Sequence, residues 1–184
     1  MSASACLVTS QPTLEEPVPT KPFLEVEGAD PDPRQILVID TPDNAFTVTL
    51  SANVRSEDAE SPVQVRALLD YGTCFLNGAP FTASFSGNDV SDGSIDDPVR
   101  KATVNATFGA VVLQPGCHRL TLMASHDFDE GTGCPSDPDD FTQITWTVFR
   151  CNSMVSGDCD GFDPDTCPPV QASCTNFQAC QVPQ

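Results

Sequence analysis

Three residue types in this chain could carry chemistry: cysteine, the acidic residues and histidine. Nine cysteines lie among 184 residues. No Cys-x-x-Cys occurs, and the two histidines, His118 and His126, stand far from a ligand-like spacing, so the cysteines read as disulfide partners rather than zinc ligands. That places the chain in an oxidising compartment. Eight of the nine, Cys74, Cys117, Cys134, Cys151, Cys159, Cys167, Cys174 and Cys180, are candidates for four bridges, among 105 possible pairings. The ninth, Cys6, stands apart.

The acidic residues number 26 against 8 Lys and Arg, a formal net charge of −18. Such a surface repels nucleic acid and anionic lipid headgroups, and both are discarded as partners. The carboxylates gather in segments rich in Gly and Pro. One set is Asp89, Asp92, Asp96 and Asp97; another is Asp158, Asp160, Asp163 and Asp165. The candidate calcium ligands are Asp127, Asp129, Asp137, Asp139 and Asp140, because hard cations take six to eight oxygens and clustered carboxylates supply them. Solvated acidic loops are the alternative, with no cofactor at all. The EF-hand spacing is absent: in Asp158-Cys-Asp160-Gly161 the glycine comes too early.

Enzymatic chemistry finds little footing. His118 and His126 fall at the two ends of one alternating run and cannot act together. No nucleophile elbow, phosphate loop or metalloprotease helix is present. A secreted hydrolase using paired loop carboxylates stays as an alternative, although nothing singles out two of them. Asn105-Ala-Thr107 fits the N-glycosylation acceptor pattern.

The elements that would position these residues are strands. Pro115-Gly116 is a turn pair, after which His118, Leu120, Leu122 and Ala124 alternate with Arg119, Thr121, Met123 and Ser125. Further runs cover 36–39, 46–55, 63–69, 81–85, 102–108 and 144–148. No stretch holds a helical period. The fold class is therefore all-β, a seven-stranded antiparallel sandwich with Trp146 in its core and a disulfide-rich C-terminal tail. Three segments follow: 1–33, an anchor and a proline-rich tether; 34–151, the sandwich; and 152–184, a tail with too few core-forming residues to fold without bridges.

The run from Leu113 through Phe128, with its Pro-Gly, His and closing Asp127, resembles the penultimate strand of bacterial immunoglobulin-like domains, including the PKD-like kind. The resemblance spans about Val111 to Cys151. It implies that the third, sixth and seventh strands share a sheet with the sixth in the middle. Cys74, Cys117 and Cys151 then lie at one end, where two of them bridge and the third holds the tail. Cys134 falls at the opposite end, where Glu57, Asp58 and Glu60 approach Asp127 to Asp140.

Ala3-Ser4-Ala5-Cys6 resembles the residues before the lipidated cysteine of a bacterial lipoprotein signal, with Ala3 where the pattern prefers Leu. It implies lipidation at Cys6; a free or intermolecular thiol is the other reading. The whole pattern is similar to cysteine-rich lipoproteins of myxobacteria. The expectation is a non-enzymatic exported protein of the cell envelope, touching the membrane by its lipid anchor only, outer-membrane anchored or extracellular, with a protein partner in an envelope assembly. The alternative is a calcium-dependent module binding carbohydrate or protein.

Overall fold

In the computed structural model, the described residues are 20–40, 45–58, 61–71, 84–91, 93–109, 115–130, 133–152, 154, 157 and 159–167. They form eight strands and one 3₁₀ turn: β1 (Phe23–Asp30), β2 (Leu37–Asp40), β3 (Ala45–Arg55), β4 (Gln64–Leu69), β5 (Ser84–Ser86), β6 (Val99–Gly109), β7 (Gly116–Ser125), β8 (Thr142–Cys151) and the turn Pro164–Thr166. One sheet has the order β1-β3-β6 and the other β2-β8-β7-β4-β5. The fold is an all-β sandwich, and β7 is the middle strand of its larger sheet, between β8 and β4.

The alternation of β3, β4, β6, β7 and β8 explains the core. Leu50, Ala52 and Val54 meet Ala102, Val104 and Ala106 from one sheet, and Val65, Ala67, Leu69, Leu120, Leu122, Ala124, Ile144, Trp146 and Val148 from the other. Trp146 is fully buried, and its indole N–H donates to the carbonyl of Pro31 at 2.6 Å. That bond satisfies the one polar atom of the largest core side chain and ties the β1–β2 connection to the sheet beneath it.

Three expectations change. The first strand begins at Phe23, inside the stretch read as tether. Pro22 precedes it and Pro31 follows it, so neither proline removes a ladder N–H from the run between them. Leu24 is buried opposite Val54, and Glu25 pairs across to Asn53 and Arg55. Second, the sandwich is not wholly antiparallel: β2 runs parallel to β8, Leu37 opposite Val148. Third, β7 is buried on both faces. Its non-core face carries Met123 into a second cluster with Leu68, Tyr71, Phe128 and Cys134, because the 126–140 connection folds back over the sheet.

Candidate functional site

β7 delivers one histidine to each end of the larger sheet. At its start, His118 Nδ1 lies 2.5 Å from Asp70 Oδ2, both side chains nearly buried. Asp70 follows directly on β4 and takes a left-handed backbone (φ 46°). Its other carboxylate oxygen accepts from Arg119 N at 2.7 Å, and its own N–H donates to the Arg119 carbonyl at 2.7 Å. Residue and backbone together pin the end of β4 to the start of β7.

At the other end, His126 lies between two carboxylates. Its Nδ1 is 2.9 Å from Asp140 Oδ1, and its backbone N–H donates to Asp140 Oδ2 at 2.9 Å. Ser125 Oγ donates to the same Oδ2 at 3.2 Å. His126 Nε2 is shut off from solvent and faces Asp58 Oδ2 at 3.8 Å. Asp58 in turn accepts from the N–H and hydroxyl of Thr20, at 2.8 and 3.1 Å. The β3–β4 and β7–β8 connections and the approach to β1 thus meet here. The two ring sites are eight residues apart along an extended strand, about 27 Å.

The arrangement around His126 is not a nucleophile–base pair. A serine nucleophile would be bonded to the ring nitrogen opposite the one held by the carboxylate. Ser125 instead bonds Asp140, and the far nitrogen of His126 meets a second acid. A sequence reading had no means of finding Asp70, which is 48 residues from His118. Its only local mark is an acid placed directly after the apolar Ala67-Leu68-Leu69.

The five candidate calcium ligands do not converge. Asp127, Asp129, Asp137 and Asp139 are exposed. Asp137 Oδ1 accepts from Asp139 N at 2.9 Å, and both oxygens of Asp140 are occupied as above. Among the described residues, the only three metal-ligand atoms of His, Cys or acid within reach of one another belong to Asp40, Cys151 and Cys159. Those two sulfurs are bonded to each other. Of the other acids named above, Glu60, Asp92 and Asp158 lie outside the described residues.

Five of the cysteines are described. Cys117 bridges to Cys167, and Cys151 to Cys159. Cys117 and Cys151 thus each bond the tail and not one another. Cys117 stands opposite Phe149, so Cys151 is its diagonal neighbour, and diagonal positions are about 7–8 Å apart, beyond disulfide reach. The bridges draw the described part of the tail, up to Cys167, onto the outer face of β7 and β8, where Phe162 packs edge-on against Phe149 at 5.2 Å.

Cys134 is also disulfide-bonded. It does not stay at the far end: the fold-back buries it under Tyr71, whose hydroxyl donates to Cys134 Sγ at 3.2 Å. Burial pushes the Tyr71 phenol up to about 12. Cys6, Cys74, Cys174 and Cys180 lie outside the described residues. Two open grooves run along β1. One, of about 430 Å³, is lined by Phe23, Glu25, Val26, Glu27 and Arg34; the other, of about 200 Å³, by Thr20, Lys21, Phe23, Arg55, Ser56 and Glu57.

No protein-family model matches the chain. No curated protein matches it either. Among solved structures, AggA, the major subunit of aggregative adherence fimbriae type I from Escherichia coli, is 16% identical. It aligns over 74% of this chain and 98% of its own, with a TM-score of 0.30. A second structure, of the aggregative adherence fimbriae of enteroaggregative Escherichia coli, concerns host recognition and biofilm formation. It is 13% identical, covers 71% of this chain and 99% of its own, and has a TM-score of 0.33. Likeness of this degree carries no functional argument, which rests on the chain's own residues.

Proposed function

We propose that this chain is a non-enzymatic, exported protein of the cell surface, with a structural or protein-binding role in an envelope assembly. The observation that carries this reading is how both histidines are used. Each ring bonds through Nδ1 to the carboxylate of a separate segment and braces one end of the sandwich. The near-neutral bases are thereby committed to holding strands and loops together. Export is supported by the two bridges that close the tail onto β7 and β8, since such bonds persist in oxidising compartments. Attachment through a lipid on Cys6 belongs to the same proposal and rests on the Ala3-Ser4-Ala5-Cys6 run alone.

Mild detergent extraction from the native host, cross-linking and mass spectrometry test the reading. Recovery in a stoichiometric complex with envelope proteins is the expected result. Recovery from the cytoplasm with reduced cysteines overturns it. The intact mass of the native protein tests the anchor separately, because a mass without acyl chains removes the lipid and leaves the assembly role standing.

A further inference from the structure

A β-sheet edge offers a row of unpaired N–H and C=O groups, and proteins blunt such edges with short strands, prolines, bulges or charge. Among the described residues, three of the four sheet edges are blunted. β1 breaks register between Glu25 and Asp30 and carries Gly28 at φ 88°. β2 is four residues long and lies between Pro33 and Pro42. β5 has three residues.

β6 is different. It is an edge strand of eleven residues, pairs in unbroken register with β3 along its whole length, and contains no proline. Among the described residues, none outside β3 forms a backbone hydrogen bond to it. It also holds none of the 26 acidic residues and two of the 8 basic ones, Arg100 and Lys101, both at one end. On a molecule of charge −18 this is the edge where two copies approach with least repulsion.

We propose that β6 docks a second copy of this chain, the two β6 strands pairing antiparallel about a two-fold axis through Val104. That register pairs all eleven residues, because Val104 is the midpoint of Val99–Gly109. It sets Thr103 opposite the partner's Asn105, the kind of pair that Thr49 and Asn105 already make across β3 and β6 at 2.8 Å. Lys101 falls opposite the partner's Thr107. The two Lys101 side chains stand six residues apart, about 20 Å, beyond the roughly 8 Å screening length at physiological salt. Ala102 faces the partner's Ala106, so the two cores continue across the seam. The product is one six-stranded sheet with an isologous interface.

The test is sedimentation equilibrium of the oxidised full chain and of two variants. The wild type is expected to be a concentration-dependent dimer. T103K/N105K places Lys opposite Lys twice and is expected to weaken the dimer about ten-fold or more. T103E/N105K places Glu opposite Lys and is expected to restore it. Circular dichroism shows that each variant has kept its fold. A wild-type monomer at the highest soluble concentration, or a dimer indifferent to the two lysines, overturns the proposal. A monomer that captures an extended peptide along β6 also overturns it, because the edge then serves a different occupant.

Discussion

Asp140 holds His126 twice, by ring and by backbone, each contact 2.9 Å. A carboxylate so placed closes the β7–β8 connection on itself. Asp140→Ala leaves the imidazole and backbone N–H groups of His126 without their acceptor, while the Ser125 hydroxyl keeps the Asp127 carbonyl at 2.8 Å. Unsatisfied buried donors cost about 1–3 kcal/mol, and urea unfolding should show a loss of that size. An exposed neighbour, Asp139→Ala, should change stability by less than about 0.5 kcal/mol and serves as the control. Equal effects of the two substitutions count against the clamp.

Tyr71 is the chain's only tyrosine, so its ionisation can be read without interference. Burial raises the phenol to about 12 from an ordinary value of 10.0. The folded state therefore holds the proton more tightly than the unfolded chain. The resulting stabilisation is full below pH 10 and is lost as pH climbs towards 12. Absorbance near 295 nm should show the native phenolate appearing close to 12, and the denatured one close to 10. A native midpoint at 10 would falsify the buried position.

The Cys117–Cys167 bridge closes a separation of 50 residues. Replacing both cysteines by serine is expected to cost about 2–4 kcal/mol, measured by urea unfolding without reductant. Limited proteolysis should then cut the tail between Phe162 and Cys167 faster than in the wild type. An unchanged cleavage rate means that the tail is held by other contacts.

Trp146 is the only tryptophan and is wholly buried. Its emission should lie to the blue of free indole and move red in one step with unfolding. Trp146→Phe removes the donor to the Pro31 carbonyl and part of the core volume, a loss of about 2–4 kcal/mol. A variant as stable as wild type argues against the Trp146–Pro31 link.

Calcium should add nothing to stability. Four of the five candidate acids are exposed and unconverged, and the fifth is engaged by His126 and Ser125. The melting temperature is expected to be equal in EDTA and in excess calcium. A rise that grows with calcium concentration reveals a site that these carboxylates do not form as they stand.

Much of the fold was legible because strand periodicity is local. Val48, Leu50, Ala52 and Val54 alternate with polar residues, and alternation alone says which face is buried. The same holds for Leu120, Leu122 and Ala124, and the central place of their strand followed from the resemblance around Pro115-Gly116. β1 was hidden because its prolines sit at its borders, where they do no harm to the ladder.

What the sequence determined by itself is composition and local pattern: acidic charge, an oxidised cysteine framework, and strands with a defined inner face. What only the tertiary structure decided is which distant groups meet. Asp70 finds His118, Cys117 takes Cys167 rather than a cysteine on a neighbouring strand, and Cys134 folds back to Tyr71. Each of these depends on loop paths and on the register between strands far apart in the chain. A two-residue period reports the face a side chain points to and carries no record of its partner, because that choice is made by long-range packing.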